Sequence, residues 1–156
     1  VSVESSDNQG SLEKSIMNFA SIKFENKNIL IADDTETNRK LLNEMLSNAD
    51  AQLFEAVDGK TAIDSTRANM PDIILMDIKM PVMDGHEALK QIRALEEKKG
   101  IFVGDGVKIV MVTALGDKKN ILEAFHEGCE YYLVKPFQQK KILELLNEMD
   151  LLKLEE

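Results

Sequence analysis

Two stretches of this chain, DIILMD at residues 72–77 and VKIVMV at residues 107–112, are apolar at nearly every position rather than at every second one. A strand of that composition needs cover on both faces, the condition met by a parallel sheet sandwiched between helices. Around them a strand–helix unit recurs: NILIAD from Asn28 with a helix behind it, AQLFEA with a helix from about Asp58, DIILMD with one from about Asp84, VKIVMV with one from about Asp117, and EYYLV with one from about Gln138. Leu41, Leu42, Met45 and Leu46 share one face of the first helix, and Ile142, Leu145, Leu146 and Met149 share one face of the last. Asp84 and Glu87 have the spacing of a capping box, and Gly128 stands where a helix should stop. Right-handed crossovers make a doubly wound α/β sandwich the expected architecture, with ligands at the carboxyl ends of the strands. The stretch EKKGIFVGDG, residues 97–106, reads as an exposed loop to which no chemistry is assigned.

The chain has 156 residues, 44% of them hydrophobic, which is material for one core and not two. The expected organisation is an N-terminal extension or linker at 1–26, part helical through Leu12, Ile16 and Phe19, then one domain at 27–150. Residues 151–156 would continue the last helix, with Leu151, Leu152 and Leu154 packing back or meeting a partner or a second copy. No run reaches the length of a membrane span and the N-terminus lacks the order of a secretory signal, so a cytoplasmic location without membrane contact is expected. The single cysteine, Cys129, rules out an internal disulfide and a clustered zinc site, and is expected to be an inert thiol; His86 and His126 stand too far apart in sequence to suggest a metal pair. A net charge of -9 disfavours direct nucleic-acid binding and favours divalent cations or basic partner surfaces.

Strand ends are where the polar residues collect: Asp33 and Asp34 on the first, Asp77 on the third, Thr113 on the fourth and Lys135 on the fifth. In a parallel sheet these face one rim. Each has an ordinary reading by itself, since Asp33 or Asp34 could only cap a helix and Thr113 could only satisfy a loop amide. The set is harder to explain that way. Aspartates are ionised at neutral pH, and gathering three costs electrostatic energy unless a cation joins them. Oxygen-only donors point to a hard divalent ion, Mg2+ with Mn2+ as a substitute, rather than zinc. Such an ion and the Lys135 ammonium could together stabilise a phosphoryl group attacked in line by an aspartate oxygen.

The pieces ILIADD, DIILMDIKMPVMDG, VMVTAL and YYLVKPF, in that order, resemble the receiver domain of bacterial response regulators and hybrid histidine kinases over roughly Asn28 to Asn147. The resemblance implies a five-stranded flavodoxin-like sheet in the order 2-1-3-4-5. It implies that Asp77 is the phosphoacceptor, that Asp34 coordinates Mg2+ directly, Asp33 largely through water, and that the backbone carbonyl of Lys79 completes the protein ligands. Thr113 and Lys135 would contact phosphoryl oxygens, and Pro136 would follow a cis peptide. The family's switch aromatic falls on Tyr132, which alternation points away from Lys135, with Tyr131 on the lysine's side; the plainer alternative is that both rings fill space under neighbouring helices. Ala114 would leave phosphate access open, and Lys79 and Leu115 would flank the path of the attacking water and slow hydrolysis.

The function expected is therefore that of a phosphoacceptor in a two-component phosphorelay, loaded by a histidine kinase or a histidine phosphotransfer domain, with a phosphorylation-dependent dimer as one output. Loading would reshape the surface of helix 4, strand 5 and helix 5 for a downstream target that the residues do not identify. The TNR run at 37–39, the opening Val1 and the helical lead-in favour a receiver from a hybrid sensor kinase over a freestanding regulator. The chain carries no basic recognition helix after the last helix. Rivals are a magnesium-dependent phosphohydrolase, disfavoured because the acid pair lies on a different strand from the nucleophile, and a phosphate-independent binding module.

Overall fold

The computed structural model describes residues 27–47, 51–114 and 118–149. The readings placed on residues 1–26, on Leu115 and on the leucines after Asp150 lie outside these residues. Five strands form, β1 (Lys27–Ala32), β2 (Ala51–Ala56), β3 (Ile73–Asp77), β4 (Lys108–Ala114) and β5 (Tyr131–Lys135). They alternate with α1 (Glu36–Met45), α2 (Gly59–Asn69), α3 (Gly85–Lys98), α4 (Lys118–Glu127) and α5 (Gln139–Glu148). All neighbouring strands are parallel and their order is β2-β1-β3-β4-β5, the flavodoxin-like sheet expected.

The near-continuous apolar strands are explained by two cores, one on each face. Leu30, Ile74, Met76, Ile109 and Met111 point to one side and meet Ala62 and Ile63 of α2, Ala88, Leu89 and Ile92 of α3, and Ala124 of α4. Their sequence neighbours Ile29, Ile31, Ile73, Leu75 and Val110 point to the other, against Leu42 of α1 and Ile142 and Leu146 of α5. All of β3, Ile29–Ala32 of β1 and Ile109–Thr113 of β4 are thus withdrawn from water, and one slip in register would exchange the two cores. Among the described residues no helix is long and apolar enough to cross a membrane.

Four local expectations need adjustment. Leu41 does not join its helical neighbours in the core: it is 48% exposed, because α1 crosses the sheet with Leu42 and Leu46 inward. The last helix buries Leu143 as well as Ile142, Leu145 and Leu146. At the start of α3 the Asp84 carboxylate accepts the Glu87 N–H at 2.9 Å, but Glu87 takes Gln91 Nε2 at 3.0 Å instead of closing the box. The reciprocal box forms at Asp58 and Thr61, where hydroxyl and carboxylate each satisfy the other's backbone N–H. Finally, α3 continues through Lys98, so the exposed loop begins two residues later than expected; Gly100 and Gly104 carry its turns at φ of 77° and 92°. Gly128 does end α4, at φ 109°.

The end of the sheet opposite the carboxyl ends of the strands is fastened by Arg93 of α3. Its guanidinium donates to the carbonyls of Gly128 at 3.0 Å and Val107 at 2.8 Å, and to the carboxylates of Glu96 at 2.7 Å and Glu130 at 2.8 Å. Those carboxylates accept in turn from Val107 N–H and Ile109 N–H, so one cation fixes the entries to β4 and β5.

Candidate functional site

The register of the sheet builds the site. Ala32 pairs with Met76, Asp77 with Val112, and Ala114 with Lys135, so the residues just past β1 and at the ends of β3, β4 and β5 reach one rim. Carboxylate oxygens of Asp33, Asp34 and Asp77 lie within 4.8 Å of one another. Asp33 and Asp77 are buried, at 2% and 9% exposure, whereas Asp34 faces solvent. The Lys135 ammonium stands 3.4 Å from Asp33 Oδ2 and 3.4 Å from Asp77 Oδ2, bridging the two buried acids. Its peptide bond to Pro136 is cis.

Asp33 is held by its own loop. Its Oδ1 accepts the Thr35 N–H at 2.8 Å and Asn38 Nδ2 at 3.5 Å, its N–H donates to Ala56 O, and its carbonyl receives Arg39 Nη1 at 2.8 Å. Arg39 is fixed by Glu55 at 2.8 Å, so α1 and β2 both orient this acid. Sequence reasoning missed Asn38, Arg39 and Glu55, because a side chain that orients a ligand carries no motif of its own.

The loop after β3 is set by two glycines. A Cβ on Gly85 would collide with the Asp77 carbonyl, and one on Gly59 would collide with the Met83 carbonyl, to which the Gly59 N–H donates at 2.8 Å. Only glycine admits this close approach of α2 and α3 to the loop. Between them Val82 takes φ of 68° and is 81% exposed. Lys79 is exposed at the start of the loop.

Asp77 carries the electrostatic tension of the group. Burial raises its pKa above the ordinary value; the Lys135 ammonium opposes this, while the Asp33 and Asp34 carboxylates add to it. Three hard oxygen donors on one side and one ammonium on the other leave excess negative charge, which a small divalent cation fits. Thr113 is 2% exposed at the end of β4, its hydroxyl 3.5 Å from the Ala114 carbonyl, and Ala114 itself is exposed. Tyr132 lies on the strand face opposite Leu133 and Tyr131, 40% exposed, with its ring edge-on to Phe125 of α4 at a centroid distance of 5.8 Å. Tyr131 packs instead into the core beneath α5. Cys129 is buried, and burial pushes its thiol up to about 12, which leaves it without thiolate chemistry at neutral pH.

Residues 29–147 match the model of the response regulator receiver domain. The chain belongs to that family. The receiver is 32% identical to the chemotaxis protein CheY of Thermotoga maritima over 79% of this chain and 97% of that protein. Among solved structures it is similar to the receiver domain of a Pseudomonas aeruginosa sensor histidine kinase, with a TM-score of 0.68, 28% identity, and coverage of 79% of this chain and 96% of that one. That domain has a magnesium ion coordinated in its active-site cleft. It is also similar to the receiver domain of a Saccharomyces cerevisiae response regulator crystallised with a histidine phosphotransfer protein, with a TM-score of 0.72, 30% identity, and coverage of 79% and 88%. The receiver therefore belongs to two-component signalling, with its acidic pocket built from Asp33, Asp34 and Asp77.

Proposed function

We propose that this receiver accepts a phosphoryl group on Asp77 from a phosphohistidine of a kinase or phosphotransfer protein. The observation that carries the proposal is the placement of Lys135, 3.4 Å from both buried aspartates, on the rim where the third carboxylate also lies. In the reaction an Asp77 oxygen attacks phosphorus in line. The N–P bond of the donor breaks, its electron pair stays on the imidazole, and that nitrogen takes up a proton. Lys135 would pair with one phosphoryl oxygen and the Thr113 hydroxyl with another, so charge spreading over the equatorial oxygens meets fixed donors. Asp33, Asp34, Asp77 and the Lys79 carbonyl would hold Mg2+, which when bound offsets the charge of the carboxylates and of the incoming group.

Loading would draw Thr113 toward the new oxygen and open room for Tyr132 to leave its edge-on contact with Phe125. The surface so changed contains a groove of about 730 Å³ lined by Phe125, Tyr132, Pro136, Lys140 and Glu148 between α4, β5 and α5. A downstream target reads that surface through its differential affinity for the two conformations. The chemistry is confined to the rim, so it is the same for a freestanding regulator and for a receiver joined to a sensor kinase; the TNR run keeps the second context slightly ahead.

The test is intact mass after incubation with Mg2+ and a small phosphodonor. A magnesium-dependent adduct in the wild type, absent from Asp77→Asn, is expected. A folded, magnesium-binding protein that forms no adduct would refute the proposal and leave a phosphate-independent interaction module.

A further inference from the structure

Helix α4 has a thin attachment to the core. Ala124 is its buried residue, while Leu122 and Phe125 are 71% and 42% exposed. Its last residue, Glu127, reaches α3 instead: Oε1 lies 2.6 Å from His86 Nδ1, and Oε2 lies 3.1 Å from Lys90 Nζ. The side chains of His86 and Glu127 are each 13% exposed, so water does little of the work at this contact. A carboxylate at a helix C-terminus opposes the negative end of the helix dipole. Glu127 is stabilised there by its two partners on the neighbouring helix.

The contact carries its own penalty. His86 Nε2 is buried and has no hydrogen-bond partner among the described residues. With the proton on Nδ1, Nε2 holds a buried, unmet lone pair; with both nitrogens protonated it holds a buried, unmet N–H. Parting α3 from α4 would exchange one short hydrogen bond for hydration of Nε2 and of the Glu127 carboxylate. The unmet nitrogen makes this contact easier to part than one in which both ring nitrogens are satisfied.

Its place in the fold gives the contact leverage. Only residues 115–117 separate the end of β4, with Thr113 at the rim, from the start of α4, while His86 and Glu127 fasten the opposite end of that helix. We propose that His86 and Glu127 form a latch that holds α4 against α3 before Asp77 is loaded and opens as α4 rearranges. This rests on the receiver reading above and deepens it: the latch strength sets how readily the loaded conformation is reached.

The test uses His86→Ala, which removes the bond without adding an apolar contact that would itself hold α4 closed, and Glu127→Gln, which keeps the shape and drops the charge. Each is assayed in the full chain for Mg2+-dependent beryllofluoride affinity and for hydrogen exchange of α4 amides without ligand. Both variants should show about fivefold faster α4 exchange and about fivefold tighter beryllofluoride binding, with Mg2+ affinity unchanged. The double variant should show less than the product of the two single effects, since the His86–Glu127 contact is common to both while the Lys90 ion pair is lost with Glu127 alone. Unchanged or slower α4 exchange, or beryllofluoride affinity that is unchanged or weaker, would overturn the latch. If the wild type binds no beryllofluoride, the receiver reading fails by itself, and α4 exchange alone then decides the latch.

Discussion

Replacing Arg93 by alanine tests whether one cation fastens the far end of the sheet. The guanidinium makes four contacts of 2.7–3.0 Å, two to carboxylates and two to carbonyls, and its side chain is 20% exposed. At roughly 1.5–3 kcal/mol for each hydrogen bond to a charged group, simple addition would give about 6–12 kcal/mol. Addition overshoots, because the four share one side chain and the space left by alanine admits water to the freed groups. Glu96 and Glu130 also keep the N–H groups of Val107 and Ile109. Breaking a mostly buried pair by removing one partner costs about 3–5 kcal/mol, and the remaining exposure places this case near the lower end, about 3 kcal/mol. Urea unfolding at constant m-value is the assay. Arg93→Lys should recover less than half of the loss, since a single ammonium cannot span four acceptors in a fixed fork. Because the network grips the entries to β4 and β5 and not their rim ends, Mg2+ affinity should be unaffected. A loss below about 1 kcal/mol for the alanine variant would refute the reasoning and mark the network as solvent-replaceable.

Three further outcomes are expected. Val82→Asn should raise stability by about 1 kcal/mol, because a β-branched residue at φ 68° is strained, asparagine tolerates that region, and 81% exposure leaves little packing to lose; an unchanged or lower thermal midpoint would contradict this. Without divalent metal, Asp77→Asn should be more stable than the wild type at neutral pH. A raised carboxyl pKa means that the folded state holds the proton more tightly than the unfolded chain does, so stability declines as pH rises from the ordinary value of 3.8 through the folded one. The advantage of asparagine should shrink as pH falls back through that window, and a difference that grows on acidification would reverse the sign argued here. Small residues at both Lys79 and Leu115 should shorten the lifetime of the aspartyl phosphate by opening the path of water, and timed phosphate release showing the wild-type lifetime would sink that assignment.

By itself the sequence determined what depends on local order. Two nearly unbroken apolar strands require cover on both faces, and the runs ending in Asp33, Asp77, Thr113 and Lys135 put polar side chains at strand ends wherever those strands pair. Tyr131 and Tyr132 were separable for the same reason, since adjacent residues of a strand face opposite sides. The tertiary structure decided what depends on register and on helix placement. Periodicity groups Leu41 with Leu42 and Leu46, but the crossing of α1 over the sheet leaves it exposed. Lys135 meets Asp33, 102 residues earlier, only because β1, β3, β4 and β5 end level with one another. His86 and Glu127, 41 positions apart, and Arg93 and Glu130, 37 apart, are scattered surface charges when read along the chain. They become partners because α3 and α4 lie side by side on one face of the sheet, next to the entry of β5, in an order that local spacing does not encode.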